Sequence, residues 1–203
     1  MPVSAQFPEY SFINSGAEFY VFDIHNLENT GTGSNVGVEL TVERRINKGY
    51  YVLLTSSIFE STYIDYNGVT RNTAFNTNYN SNILVGYEFN INEELMFTCD
   101  IRTAMSGGKP YIPIDLEASI EKGQTVYNAD LLYEKRYDSY FRTDIRLGLK
   151  QNGKKFSQEW GLDLQNVSNH KNIFHQEFDA RNEEILPVYQ QGFMPMMLYR
   201  IRF

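Results

Sequence analysis

At 203 residues the chain has room for one domain or a modest pair, and its formal net charge of -7 argues against a protein that works by neutralising phosphates. Nucleic acid is therefore not an expected partner, and a lone Cys99 excludes an internal disulfide framework and a multi-cysteine metal site. The 15 Tyr and 14 Phe, with Asn, Thr and Ser breaking almost every apolar stretch, are the vocabulary of strands. No apolar run reaches the roughly 18 residues of a helical membrane span, which leaves open a barrel whose strands need only about 9 to 11 alternating residues.

The N-terminal MPVSAQFPEYSF has neither a basic start nor an apolar signal core, so the barrel reading expects a further part upstream. A weak strand is expected over Glu9 to Ile13. From Val36 to Arg45, Val36, Val38, Leu40 and Val42 share one face while Glu39, Thr41, Glu43 and Arg45 share the other. A strand from Tyr50 to about Tyr63 is apolar on both faces. Between Asn76 and Ile91 the split is sharper, with Asn76, Asn78, Asn80, Asn82 and Glu88 opposite Tyr79, Ile83, Val85, Tyr87, Phe89 and Ile91.

The next segment sets Leu95, Phe97, Cys99, Ile101 and Met105 against Thr98, Asp100 and Arg102. Tyr140 to Lys150 sets Phe141, Ile145, Leu147 and Leu149 against Arg142, Asp144, Arg146 and Lys150. Phe156 to Gln165 sets Trp160, Leu162 and Leu164 against Glu159, Asp163 and Gln165. The last segment places Phe193, Met197, Tyr199, Ile201 and Phe203 on one face and Arg200 and Arg202 on the other.

Connections alternate in length. Ile46 to Gly49, Asn90 to Glu94 and Gln151 to Lys154 are tight turns, whereas Ser15 to Asn29, Asp65 to Thr73, Gly107 to Asp138 and Ser168 to Gln190 are long polar excursions. Short turns at one end and long loops at the other define an up-and-down outer-membrane barrel, in which the turns are periplasmic and the loops external. The fold class expected is all-β, an antiparallel up-and-down transmembrane β-barrel portion of about eight strands. As an isolated chain it should be open or incompletely closed, with one apolar face. At the QNGK turn, pairing Lys150 with Lys155 would bring Arg146 opposite Glu159, Arg142 opposite Asp163 and Ile145 opposite Trp160.

Candidate chemistry is sparse, and no enzyme is expected. His170 and His175 lie near Glu177 and Asp179 in one excursion but in no compact metal spacing, and His25 is remote. Asp115 and Glu117 fall on one side of an extended segment without a partner base. Asn166, Val167 and Ser168 mark a strand end, Gly107 and Gly108 read as loop flexibility, and no cofactor loop is present. Tyr63, Tyr79, Tyr140, Phe141 and Tyr199 are candidates for interfacial aromatic girdles, against sheet-packing aromatics of a soluble core.

An apolar terminal strand closing on an aromatic, with Tyr199, Ile201 and Phe203 on one face, resembles the signal by which the barrel assembly machinery recognises outer-membrane proteins. The stretches GTGSNVGVELTVER, RNTAFNTNYN, GGKPYIPIDLEAS, SYFRTDIRLGL, GLDLQNVSNHKNIF and YQQGFMPMMLYRIRF are similar to the last strands of TonB-dependent outer-membrane receptors. The similarity is closest to receptors carrying an N-terminal carboxypeptidase-regulatory-like domain. It implies that residues 1–203 are the C-terminal part of an outer-membrane β-barrel domain whose plug and N-terminal strands are absent, facing outer-membrane lipid. TonB would act only through the missing plug, and the whole receptor would capture and import a scarce ligand such as a metal chelate, cobalamin or a glycan. Two other readings stay open: a self-contained small outer-membrane barrel, and a soluble all-β carbohydrate-binding module.

Overall fold

The structure, a computed structural model, describes residues 1–17, 27–45 and 49–203. Expectations for His25, for most of the Ser15 to Asn29 excursion and for the Ile46 to Lys48 part of the first tight turn lie outside the described residues. In chain order the strands are β1 (Val3–Ser4), β2 (Leu27–Glu28), β3 (Thr32–Arg45), β4 (Tyr50–Ile64), β5 (Thr70–Asn72), β6 (Tyr79–Asn90) and β7 (Leu95–Ser106). They continue as β8 (Pro110–Tyr111), β9 (Lys135–Arg136), β10 (Tyr140–Asn152), β11 (Ser157–Gln165), β12 (Ile173–Asp179), β13 (Glu184–Tyr189) and β14 (Met194–Arg202). One helix, α1 (Leu116–Lys122), and two 3-10 turns, at Phe12–Asn14 and Ala129–Leu131, complete the described elements.

Seven long strands form one antiparallel sheet in the order β14-β11-β10-β7-β6-β4-β3, with β5 added beside β4. The chain is thus an open all-β fold, because β3 and β14 lie at opposite edges and do not pair. Pro195 is tolerated in β14 because an edge strand can spare one ladder donor.

The registers carry side chains of one kind into continuous rows. Val52, Val85, Ile101, Ile145 and Leu164 are successive neighbours from β4 to β11, and Tyr50, Tyr87, Cys99, Leu147, Leu162 and Met197 form the next row. Each adjacent pair contributes ~0.2–1 kcal/mol, so a row gains from alignment across the whole sheet. On the opposite face run Thr41, Thr55, Asn82, Ala104 and Arg142.

Among the described residues no other layer rests on the apolar face. Val36 and Val38 keep 71% and 76% of their surface exposed, and Leu40, Ile58, Val85 and Ile101 are also exposed. The accessible surface is 13252 Å² for 23.6 kDa, against ~9,800 Å² for a compact monomer of that mass. The excess belongs to a sheet exposed on a face that a sandwich would bury.

The only sizeable buried cluster among the described residues sits at the long-loop end. Tyr63, Ala74, Ile112, Leu132 and Tyr133 pack together there, joined by Met1, Ile13 and Ala17. Tyr63 at the top of β4 donates its hydroxyl to the Glu9 carbonyl at 2.6 Å, and the Asn14 side chain accepts the Ala74 amide at 2.9 Å. Buried Asp65 pairs with Arg71 at 2.8 Å, and Arg71 reaches on to the Asp130 carbonyl at 3.0 Å. The excursions therefore fold on one another into a cap.

Several local expectations change. Glu9 to Ile13 is not a sheet strand: Ser11 makes a single bridge to Val3 and then caps the 3-10 turn, so the segment joins the cap. Asn76 and Asn78 precede β6, because Asn78 is left-handed at φ 66 and Asn76 is buried holding Ser61 and Asn72. The Gly107 to Asp138 excursion contains α1 and the β8–β9 pair, and the last excursion contains the β12–β13 hairpin. In the QNGK hairpin Lys150 faces Glu159, Arg146 faces Asp163 and Trp160 faces Leu149. The turn there is centred on Lys154 and Lys155 rather than on Asn152 and Gly153, with Gly153 N–H donating to Phe156 O at 2.9 Å. The register moves by four residues, an even number, so every side chain keeps its expected face.

Candidate functional site

The polar face carries a charge network. Arg146 lies 3.6 Å from both Glu159 and Asp163, Arg200 lies 3.1 Å from Glu159, and Arg142 pairs with Asp144 at 2.7 Å rather than with Asp163. Across the same face Tyr51 donates its hydroxyl to Asp100, with its ring lying over Gly86, the residue between them in the register. A Cβ at Gly86 would collide with the phenol end of Tyr51 and with the Asp100 carboxylate, so the absent side chain is what lets the phenol reach across a strand.

On the apolar face, aromatic rings gather near the short-turn end. Tyr50 and Tyr87 have ring centroids 4.2 Å apart, Trp160 and Tyr199 are 5.8 Å apart, and Phe89 is paired with Phe97. Tyr79 and Phe141 stand on the same face near the loop end. Tyr63 and Tyr140 do not join them, because their register puts them on the polar side: Tyr63 is 1% exposed in the cap and Tyr140 lines a cleft. Tyr199 and Ile201 lie on the apolar face of edge strand β14, the Tyr199 hydroxyl donates to Gln158 at 2.7 Å, and Phe203 is 97% exposed just beyond the strand.

At the loop end a cavity of about 490 Å³ opens over the top row of the polar face. Asn80, Ser106 and Tyr140, which are register neighbours on β6, β7 and β10, form its floor. Phe59 and Phe75 make one wall, and Tyr137, Asn172 and Phe174 the other. Gly107 and Gly108 at its rim are sites of close approach rather than flexibility: a Cβ on them would collide with the carbonyl oxygens of Thr77 and Tyr137. Arg136 braces the rim by donating to the carbonyl of Asn76 and, at 3.3 Å, to that of Gly108; burial pulls its pKa down.

Two asparagines set the other wall. The Asn172 side chain accepts Phe141 N–H at 2.9 Å and donates to Phe141 O at 2.8 Å, stapling the root of the β12–β13 hairpin to β10. Asn166, left-handed at φ 47 where β11 ends, donates to the carbonyls of His170 and Gln191. Sequence reasoning singled out neither amide as a positioning group. The polar short side chain directly after an alternating run was the available signal.

The remaining candidates are dispersed. His175 meets Glu177 at 2.9 Å, His170 stands edge-on to Phe141 at 5.9 Å, and Asp179 caps the hairpin tip. Among the described residues no three metal-ligating side chains converge. Asp115 is the N-cap of α1, accepting Ala118 N–H at 3.0 Å, with Glu117 in the first turn.

The described residues form an open antiparallel sheet with one apolar surface that none of them covers, one charge-paired polar surface and a folded cap at one end. Compared with known proteins, the chain matches no family model, no curated protein and no solved structure.

Proposed function

We propose that this chain is wall, loops and closing strand of an outer-membrane β-barrel receptor of the TonB-dependent kind, whose external cap takes part in ligand capture. The observation that carries the reading is the set of apolar rows running uncovered from edge to edge of a sheet whose reverse face is charged. Water penalises such a face and lipid rewards it. Tyr79 and Phe89 bracket the apolar part of β6. Their separation of about 33 Å along the strand becomes about 25 Å at a ~40° tilt, the height of a barrel's apolar band.

Open edges point to additional strands. The unpaired donors and acceptors of β3 and β14 would each cost several kcal/mol in hydrocarbon, so in a membrane these edges require partners. The same openness removes the support for a self-contained small barrel, which needs β14 paired to β3. A soluble carbohydrate-binding module would need a second layer over Val38, Val85 and Ile101, and the described residues provide none.

The test is to produce the chain with its native upstream region and fractionate the cells. The expected result is a heat-modifiable, detergent-dependent band in the outer membrane. A monodisperse soluble protein obtained without detergent would overturn the reading.

A further inference from the structure

The apolar stretches do not lie level across the sheet. On the apolar side they run from Val36 to Val42 on β3, Tyr50 to Ile58 on β4, Tyr79 to Phe89 on β6, Phe141 to Leu149 on β10 and Met197 to Ile201 on β14. Followed through the registers, the middle of the stretch moves toward the short-turn end by about 30 Å between β3 and β14, while the strands span about 29 Å sideways. The band is therefore inclined by roughly 45° to the rows, close to the ~35–45° at which barrel strands tilt from the membrane normal. A strand tilt of that size brings the inclined band level with a bilayer.

Charge marks the boundaries of the band. Among the described residues of the seven long strands, the apolar side carries two charged side chains: Arg44, beyond Val42 on β3, and Glu60, beyond Ile58 on β4; both are exposed. The row that begins at Arg44 continues through Val52, Val85, Ile101, Ile145 and Leu164 to Pro195. Level rows would hold the Arg44 charge at the depth of Ile101, in the middle of the hydrocarbon, where a guanidinium is costly. The inclined band puts it instead at the turn-side boundary, in step with Tyr50 and Phe89, which end the apolar stretches of β4 and β6. Pro195, at the other end of the same row, then lies at the loop-side boundary, about 20 Å away in depth.

We infer that the apolar face meets the bilayer along this inclined band, and that Arg44 binds the phosphate of an anionic phospholipid at its turn-side boundary. The inference rests on the receptor reading for the presence of lipid, and adds to it an orientation and a headgroup contact. An arginine stem lies along apolar surface while its head reaches the interface, and the planar guanidinium matches two phosphate oxygens at once. Glu60, an anion, offers a phosphate no such contact at the loop-side boundary.

The experiment uses the full-length gene product folded into phosphatidylcholine vesicles with and without phosphatidylglycerol. In a Cys99→Ser background, nitroxide labels are placed through Arg44→Cys, Ile101→Cys and Pro195→Cys, three positions of one row, and the heat-modifiable band confirms that each variant is folded. The ratio of oxygen to nickel-chelate relaxation, which rises with depth, should be high for the label at position 101 and low for those at 44 and 195. Equal depths for all three would overturn the inclined band and leave lipid contact, and the receptor reading with it, standing. Three labels in water would overturn both. In the unlabelled protein, Arg44→Gln should lower the folding equilibrium constant about fivefold more in vesicles containing phosphatidylglycerol than in phosphatidylcholine alone. The same effect in both kinds of vesicle would overturn the phosphate contact of Arg44.

Discussion

Tyr51, Gly86 and Asp100 share one row of the polar face, and the ring of the first crosses the second to reach the third. Gly86→Ala should therefore destabilise the sheet by about 1–3 kcal/mol through overpacking. Urea titration of the refolded protein would measure it, and adding Tyr51→Ala should recover part of the loss, since the collision is with the Tyr51 phenol and with the Asp100 carboxylate. At the hairpin tip, the Arg181 N–H holds the Asp179 carboxyl below its usual pKa, with the Asn182 side chain adding to the effect at 2.8 Å. A carboxylate with a lowered native pKa contributes its stabilisation above the ordinary Asp pKa and loses it as pH falls through the native value. Carbon-detected NMR titration should place Asp179 below free aspartate, and Arg181→Pro, which removes the N–H, should raise it.

Elements divide by how local their causes are. The signals that bound helix α1 are all present in IDLEASIEKG: Asp115 as N-cap, Glu117 in the first turn, Lys122 in the last and left-handed Gly123 beyond it. They were overlooked because the helix is short and sits in a polar excursion. The QNGK hairpin failed differently, since an Asn-Gly pair invites a turn centred on itself while the rows of the full sheet place the turn two residues later. The β12–β13 hairpin hangs on Asn172, so Asn172→Ala should cost about 1–3 kcal/mol locally by orphaning Phe141 backbone groups. Hydrogen exchange should show the Phe141 amide speeding up with the β6–β7 amides unchanged. For β14, deletion of Phe203 should lower the amount of heat-modifiable protein in the outer membrane several-fold if Tyr199, Ile201 and Phe203 act as an assembly signal, and leave it unchanged if they are only edge residues.

For the whole molecule, the two faces of the sheet make opposite demands. Ile101→Arg, in the middle of the apolar rows, should cost ~2–4 kcal/mol in a lipid bilayer, whereas Ala104→Arg on the polar face should cost little. Folding titrations into lipid vesicles distinguish them; equal costs would mean that the apolar face does not meet hydrocarbon. The expected antiparallel strands, the residues that share each face and the asymmetry of connections were legible because a period of two and the Gly/Asn turn chemistry are properties of neighbouring residues. The cleft was not legible, because Phe75, Tyr137, Asn172 and Phe174 come from segments with no common periodicity and meet only in three dimensions.

By itself, then, the amino-acid order determined the alternating strands and which side chains share a face, since both follow from backbone geometry repeated residue by residue. Tertiary structure alone decided the hairpin register, the burial of Tyr63 in the cap and the union of distant loops over Asn80, Ser106 and Tyr140. Those outcomes depend on pairing between strands and on packing between loops, where many residues far apart in the chain compete and only their sum selects a winner.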